Sequence, residues 1–407
     1  MDLQPDLHTL VGEEPTRIWK HLSPRKKRKL ERPGFAQATA KCLISPEEMM
    51  SLPAGPSNGR EAVHWASTDL DALSVRGIAK VGVDLKHRLV AALKRGVIMR
   101  TDYSGVGGAE ESLRQMLLAM HDQDPDFWPK NIKVQRSGDV LPGARKILAT
   151  HHQPCRPRCI HGDLLDRLPP PLLKRLERLH RRHNILAQGR LNDKKKKATK
   201  KEVMQSQGRI FMRQAFKMLA QANAIRDSGE LVAICHVHQD PACDGCPVIP
   251  SVPKSFRGFT LMVAGVNCYD WSSMGGQKRW LGQSALAFLA WARERLLAQE
   301  DAVLVECVMQ FDHELLAELF DDLYELTVLR VSPSLFGLPV ERQRKYMVLL
   351  AKHRVKWIKE VAEFGPEKAF HSIVAKEVVM SCRDHLRAPP AAIQAYIASL
   401  AENTKHA

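Results

Sequence analysis

The feature that most constrains the fold of this chain is a regular alternation of short apolar runs with longer amphipathic segments. The apolar runs are typical of buried strands. They cover residues 97–99, 259–263, 302–305, 326–331 and 346–350. Apolar residues recur at helical spacing in residues 84–95, 172–186, 210–225 and 283–297. Strands that alternate with helices predict an α/β fold, with a mostly parallel sheet covered by helices on both faces.

The charge of the chain indicates the class of its partner. Its 407 residues carry a formal net charge of +16. A surplus of that size favours polyanions, because each phosphate that is neutralised releases condensed counterions. A nucleic acid is therefore the expected partner, and a merely solvated basic surface is the alternative.

Other features argue against membrane and secreted proteins. No run of about 18 apolar residues occurs, so we expect no membrane span and no membrane partner. The first residues lack the apolar core of a secretory signal. Nine cysteines, an odd number, are scattered along the chain. In a protein that is not secreted, this favours reduced thiols that serve chemistry or metal binding over disulfides.

Residues 1–60 are punctuated by prolines and are predicted to form a mostly disordered leader. Within it, Pro24–Leu30 contains five consecutive cations, Arg25–Lys29. These charges repel one another, so the run is expected to stay extended and accessible. It resembles a monopartite nuclear import signal, and the resemblance implies a nuclear protein that binds an import receptor. A nucleic-acid-binding tail is the alternative.

A glycine-rich turn follows the strand at 97–101 and precedes an amphipathic helix. Its residues of interest are Tyr103, Ser104, Gly105, Gly107 and Gly108. Glycines at a strand-to-helix turn let the backbone approach a ligand closely, and the helix N-terminus offers free N–H groups. The alternative is a turn that only needs positive φ angles.

Two acidic residues strengthen the prediction of a cofactor site. Asp139 follows the strand at 132–134, where a carboxylate can accept hydrogen bonds from ribose hydroxyls. Asp163 ends the next strand-to-helix unit, where it can meet an adenine amino group. Singly, each is typical of a helix cap or turn. In register with the glycine-rich turn, they predict one binding site.

Four further residues predict a reactive centre. Cys268 follows a buried strand, at the end where α/β enzymes place reacting groups. Glu306 lies in an otherwise apolar strand, which is costly without a partner, and a raised pKa would let it act as a general acid. Arg342 and Arg344 alternate on an extended segment, so they project to one face and can orient a carboxylate or bind phosphate. A plain loop cysteine and a salt-bridged sheet edge are the alternatives.

In chain order, these segments resemble the motifs of the cytosine-5 DNA methyltransferase family. Tyr103–Gly108 is similar to the first motif, aromatic-x-Gly-x-Gly-Gly, and residues 137–142 and 161–164 are similar to the second and third. Residues 268–275 resemble the fourth motif, Cys-x-x-x-Ser-x-x-Gly. Glu306–Val308 and Gly337–Arg344 are similar to the sixth and eighth motifs. The resemblance covers residues 96–350.

The resemblance implies a Rossmann-like methyltransferase domain over residues 61–355 and an enzyme that methylates C5 of cytosine in DNA. It implies that S-adenosylmethionine is bound by Tyr103, Ser104, Gly105, Gly107, Gly108, Asp139 and Asp163. The target cytosine would be flipped out of the duplex. Cys268 would then add to C6, Glu306 would bond the N3 edge, and Arg342 and Arg344 would position the base.

The sequence also departs from the family pattern. Asn267 stands where the family has proline, Asp139 replaces glutamate, and Cys307 replaces asparagine. Residues 349–407 are too few for the usual target-recognition region with the last two motifs, and 356–407 are predicted to form a helical tail. Two alternatives follow, a catalytically weakened regulatory protein that binds nucleic acid or S-adenosylmethionine, and a tRNA cytosine-5 methyltransferase. The import-like run favours DNA.

Residues 229–257 are predicted to form a Cys/His-rich irregular insertion. Cys235, His238, Cys243 and Cys246 have spacings that suit a tetrahedral zinc ion. The alternatives are reduced thiols without a metal, and ligands supplied by Cys155 and Cys159.

Overall fold

A seven-stranded sheet forms the centre of the part of the chain that the structure describes, in the order β3-β2-β1-β4-β5-β7-β6. The structure is a computed structural model, and it describes residues 48, 50–129, 131–193, 199–224, 234–238, 252–253 and 255–380. The strands are β1 Val97–Asp102, β2 Ile132–Gly138, β3 Cys159–His161, β4 Phe259–Gly265, β5 Ala302–Val308, β6 Tyr324–Val331 and β7 Arg344–Ala351. The first five pair in parallel, whereas β7 runs antiparallel to β5 and β6.

Helices connect the strands and flank them. They are α1 Gly59–Ala62, α2 Trp65–Val81, α3 Leu85–Arg95, α4 Gly108–Gln123, α5 Pro142–Thr150, α6 Pro170–Asn192, α7 Lys200–Ala224, α8 Ser284–Ala298, α9 His313–Phe320, α10 Lys359–Phe364 and α11 Pro366–Val374. No helix among the described residues is long and apolar enough to cross a membrane.

Helices cover both faces of the sheet, as the alternation along β4 demonstrates. Met262 and Ala264 pack into the apolar cluster that contains residues of α6 to α9. Leu261 and Val263 pack against a second cluster, which contains residues of α2 to α4. Successive side chains of a strand point to opposite faces, so the two clusters lie on opposite sides. This confirms the predicted α/β, Rossmann-like fold.

The strand order determines where a ligand can bind. From β1 the chain continues to β2 on one side, while β4 lies on the other side of β1 and leads on to β5. Ligands of open parallel sheets bind at such a switch point, beyond the carboxyl ends of the strands. The ends of β1 and β4 therefore mark the expected site.

The strands and helices predicted from periodicity are confirmed. Most are longer than predicted, whereas α3 begins one residue later and α8 is shifted by one residue. The helix predicted at 84–95 is α3. Asp84 caps its N-terminus, because Oδ1 of Asp84 accepts a hydrogen bond from His87 N at 2.9 Å. Helix α2 was not predicted. It packs against α11. Lys376, just after α11, forms an ion pair of 2.6 Å with Asp69 of α2. Gly55 N also donates to Glu377 O at 2.8 Å, so chain segments before α1 and after α11 meet.

Candidate active site

A cleft of about 520 Å³ opens at the carboxyl ends of β1, β4 and β5. It lies at the switch point expected from the strand order. Residues from the glycine-rich turn and residues predicted for the reactive centre line it together. Among them are Thr101, Asp102, Tyr103, Ser104, Gly108, Ala109, Gly265, Glu306, Phe336, Arg342, Arg344 and Tyr346.

The glycine-rich turn has a left-handed backbone conformation, which residues other than glycine rarely adopt. Three of its residues have positive φ: Tyr103 at 54°, Gly105 at 55° and Gly107 at 88°. A Cβ on Gly107 would lie 2.6 Å from Nε2 of His151. The turn leads directly into α4, and the first residue of that helix, Gly108, lines the cleft. The N–H groups of the first turn of a helix lack partners within the helix, so they are available to a ligand.

Asp139 braces this turn. Its Oδ2 accepts a hydrogen bond from Gly105 N at 2.8 Å, and its Oδ1 accepts one from Leu141 N at 2.8 Å. The carboxylate therefore ties the end of β2 to the glycine-rich turn that follows β1. A carboxylate has about four acceptor positions, so these two bonds leave acceptor capacity for a hydroxyl.

Asp163 caps the short 3-10 helix Leu164–Arg167, because its Oδ1 accepts from Leu165 N at 2.9 Å. Neither Asp139 nor Asp163 is among the residues that line the main cleft. Asp163 is thus a helix cap, whereas Asp139 forms a turn with Leu141 and caps no helix. Both roles were among the alternatives that the sequence left open. A role in cofactor binding stays a prediction.

Glu306 and Arg344 form an ion pair inside the cleft. Glu306 lies on β5 and Arg344 begins β7, and Nε of Arg344 is 2.9 Å from Oε1 of Glu306. Burial raises the pKa of Glu306 above its ordinary value, although Arg344 and Arg342 act in the opposite direction. The carboxyl group therefore retains its proton at a higher pH than a solvated glutamate would.

Cys268 lies on the loop after β4 and is half-buried against the cluster that contains α6 to α9. Its carbonyl accepts hydrogen bonds from Trp271 N at 2.9 Å and Ser272 N at 2.7 Å. Asn267 Oδ1 accepts from Tyr269 N at 2.8 Å. A side-chain hydrogen bond of this kind restrains a loop, so the Asn267 side chain restrains the backbone around Cys268.

Cys268 is not itself a wall residue of the main cleft, whereas Val263, Ala264 and Gly265 just before it are. Val266 N donates to Glu306 O at 3.1 Å, so the start of the Cys268 loop is hydrogen-bonded to the strand that carries Glu306. The neighbouring Cys307 is buried, and burial raises the pKa of its thiol to about 12. Cys307 therefore stays protonated and is no competing nucleophile.

A buried ionic network lies beneath the cleft and was missed in the sequence. Arg136 Nη2 lies 2.8 Å from Asp102 Oδ2 and 2.7 Å from Glu294 Oε2. Arg167 Nη1 lies 2.7 Å from Asp102 Oδ1. The available signal was Asp102 itself, a charge at the end of a fully buried strand, which is costly without partners. The partners come from β2, the 3-10 helix after β3, and α8, so only the fold reveals them.

The residues predicted for a metal are partly brought together. Cys235 and His238 lie beside Cys159 of β3, and the ligand atoms of the three residues all lie within 4.8 Å of one another. Cys159 was one of the alternative ligands considered in the sequence. The other, Cys155, packs in the cluster of α2 to α4 instead. Cys243 and Cys246, like most of the 229–257 insertion, lie outside the described residues.

No protein-family model matches this chain, and no curated protein matches it. Solved structures match it at low identity. The Dnmt2 methyltransferase of S. pombe is 15% identical with a TM-score of 0.30, and the match covers 66% of this chain and 55% of that one. The Entamoeba histolytica methyltransferase EhMeth is 12% identical with a TM-score of 0.28, covering 63% of this chain and 53% of that one. This chain thus spans little more than half the length of either structure.

Proposed function

We propose that this protein transfers a methyl group from S-adenosylmethionine to C5 of cytosine in DNA, through a covalent bond to Cys268. The observation that carries the proposal is the shared cleft. Its walls combine a glycine-rich turn and helix N-terminus with the Glu306–Arg344 pair. The Cys268 loop leaves the same cleft wall at Gly265.

The residues present fit S-adenosylmethionine. A cleft of about 520 Å³ is of the size that small-molecule ligands occupy. A Cβ built on Gly105 or on Gly108 would meet nothing within 4 Å, so the turn is open to a ligand. Tyr103, Ser104 and Gly108 would hold the cofactor at the end of β1, and Asp139 and Asp163 would meet its ribose and adenine. The bound cofactor would supply an electrophilic methyl group.

The side chains of the reactive centre divide the chemistry between them. Glu306 donates its proton to N3 of the flipped cytosine, which withdraws electron density from C6. Cys268 gives its thiol proton to water, and its sulfur adds to C6 and forms a carbon–sulfur bond. The electron pair of the C5–C6 double bond would then be available at C5 to bond the methyl group, while the electron pair of the broken methyl–sulfur bond would remain on the cofactor.

The covalent bond is then broken without loss of the methyl group. A water molecule accepts the C5 proton, and the electron pair left behind restores the C5–C6 double bond. Cys268 leaves as a thiolate, and the proton on N3 returns to Glu306. Arg344 keeps the carboxyl of Glu306 oriented through both proton transfers, and Arg342 supplies a second positive charge in the same cleft.

Two other functions are supported by specific features. A tRNA substrate is supported by the net charge of +16, which favours any polyanion. A regulatory protein that binds cofactor or nucleic acid without turnover is supported by Cys268 lying outside the walls of the main cleft. The net charge of +16 fits DNA and tRNA equally.

Trapping separates these functions. The protein is incubated with labelled S-adenosylmethionine and duplex DNA that contains 5-fluorocytosine, because fluorine at C5 prevents the final elimination. A covalent, labelled adduct is expected with the wild type and not with Cys268→Ser, while Cys155→Ala serves as the matched cysteine control. An adduct with 5-fluorocytosine tRNA alone would replace DNA by tRNA. Cofactor binding without any adduct would overturn the proposal in favour of the regulatory protein.

A further inference from the structure

A cluster of two thiols and an imidazole lies at the edge of the sheet, away from the cleft. Cys159 is on β3, which is the edge strand, and Cys235 and His238 are in the short described segment 234–238. The segment is attached to the strand by backbone contacts. His161 and Cys235 form an antiparallel bridge, and His236 N donates to Ile160 O at 2.8 Å.

We infer that Cys159, Cys235 and His238 bind a zinc ion that fastens the insertion to the edge of the sheet. The set differs from the one predicted from sequence, because Cys159 precedes Cys235 by a long stretch of chain and joins it only in the fold. The ligands are two thiolates and one imidazole. Zinc binds such ligands, whereas magnesium and calcium prefer oxygen ligands.

The distances between ligand atoms fit a tetrahedral ion. Zinc–sulfur bonds of about 2.3 Å and zinc–nitrogen bonds of about 2.0 Å place the sulfur and nitrogen ligands of one tetrahedral ion about 3.5 Å apart. Sγ of Cys235 lies 3.4 Å from Nδ1 of His238. The whole set of three ligand atoms lies within 4.8 Å, so small side-chain adjustments bring all three to a common ion.

Burial and access also suit a structural metal. Cys159 and Cys235 are 5% and 0% exposed, whereas His238 is exposed. The thiolates are thus shielded from solvent and oxidants, and the imidazole side offers an entry path for the ion. A structural zinc takes four ligands, so a water molecule or a further side chain completes the coordination.

The metal would also order the residues that follow β3. Gly162 follows β3, and a Cβ built on it would lie 3.3 Å from Nε2 of His236. His236 lies between the two ligands Cys235 and His238, so the ion holds the backbone on both sides of this residue, whose ring lies beside Gly162. Removal of the ion is expected to free the 234–238 segment from β3.

The test is metal analysis of the full-length protein, purified without added chelator. One zinc per chain is expected in the wild type and in Cys155→Ala, and loss of stoichiometric zinc is expected in Cys159→Ala. Cys155 is the matched control because it is also fully buried but packs elsewhere. Zinc retained by Cys159→Ala and lost from Cys243→Ala would overturn the inference in favour of a site within the insertion. Absence of zinc from the wild type would also overturn it.

Two further measurements remain informative if an alanine variant does not fold. The visible spectrum of the cobalt-substituted wild type should show thiolate-to-cobalt charge transfer, and His238→Cys should keep the metal and increase that absorption. Hydrogen exchange of the His236 amide should accelerate at least tenfold when the wild type is treated with chelator. Unchanged spectra in His238→Cys together with unchanged exchange would contradict the three-residue site.

Discussion

Arg344 on β7 holds Glu306 on β5 by an ion pair of 2.9 Å across two antiparallel strands. The register opposes Glu306 to Tyr346 and Val308 to Arg344, so the long arginine side chain reaches diagonally back along the strand. Burial raises the pKa of the Glu306 carboxyl group and the two nearby arginines lower it. The effect of burial is the larger, so the pKa lies above its ordinary value. The carboxyl group of Glu306 is thereby held in place in a cleft that Arg342 and Arg344 also line.

Replacement of Arg344 by methionine should raise the pKa of Glu306 further. The guanidinium favours the ionised carboxylate, and its removal leaves burial less opposed. If protonated Glu306 is required, methylation declines as the pH rises through its pKa. That decline should therefore move to higher pH in Arg344→Met. The pH profile of single-turnover methylation measures this.

The control for that experiment is Arg354→Met. Arg354 pairs with Asp301 at 3.4 Å and follows the far end of β7. This variant therefore also loses one positive charge, but at a position outside the cleft. Its profile should coincide with that of the wild type. A shift to lower pH in Arg344→Met, or equal shifts in both variants, would disprove the assigned role of the pair.

Glu306→Gln should keep the fold and lose most of the activity. The amide has nearly the same shape but cannot donate the proton that the reaction needs at N3. General acid catalysis contributes about 10²–10⁴-fold to rate, and a loss in that range is expected in kcat. Cofactor affinity, measured by calorimetry, should change little, and a variant with near wild-type kcat would contradict the mechanism.

Gly107→Ala should destabilise the glycine-rich turn. The residue has a φ of 88°, and an L-residue in the left-handed region costs about 1–2 kcal/mol. The new Cβ would also meet His151 Nε2 at 2.6 Å. Denaturant unfolding and cofactor binding should both weaken. Gly143→Ala, at an exposed helical position with nothing within 4 Å of the built Cβ, should stay within about 0.5 kcal/mol of the wild type.

Asp102→Asn should be strongly destabilising near pH 5. Burial alone would raise the pKa of Asp102, but Arg136, Arg167 and Arg295 together outweigh it and lower the pKa from 3.8 to about 2. Breaking one partner out of such a buried network costs about 3–5 kcal/mol. The difference in free energy of unfolding is measured by urea denaturation.

The same difference should shrink in acid. Because the pKa of Asp102 is lower in the folded state, the unfolded state takes up the proton first as the pH falls. The stability that Asp102 contributes is present above about pH 4 and is lost toward pH 2. Wild type and Asp102→Asn should thus converge between pH 5 and pH 2. Asp321→Asn, which removes an exposed partner of Lys352, should stay within about 1 kcal/mol of the wild type.

The cationic run Arg25–Lys29 lies outside the described residues, and its role as an import signal stays a prediction from sequence. Alanine at Lys26, Lys27, Arg28 and Lys29 should move a fluorescent fusion of the full chain out of the nucleus of a eukaryotic cell. Alanine at Lys194–Lys197 removes the same number of charges and should leave the fusion nuclear. Equal redistribution by both variants would indicate a general charge effect.

The sequence by itself determined the fold class, most strands and helices, and the order of the candidate site residues along the chain. Periodicity reports which face of each element is apolar, and burial of those faces is what drives the fold. Helix α2 escaped this reasoning because its buried positions, such as Ala66, Leu70 and Gly77, include small residues that give a weak apolar pattern. Its place is decided by packing against α4 and α11.

Only the tertiary structure decided which side chains share an environment. Asp139 bonds the amide of Gly105, and Arg136 and Arg167 converge on Asp102. Cys159 meets Cys235 and His238 at the edge of the sheet. Each contact joins residues that are distant along the chain, and local patterns do not give the distance between such residues. Hydrogen bonds, ion pairs and metal ligation depend on distances of a few ångströms, which exist only once the strands have been aligned in register.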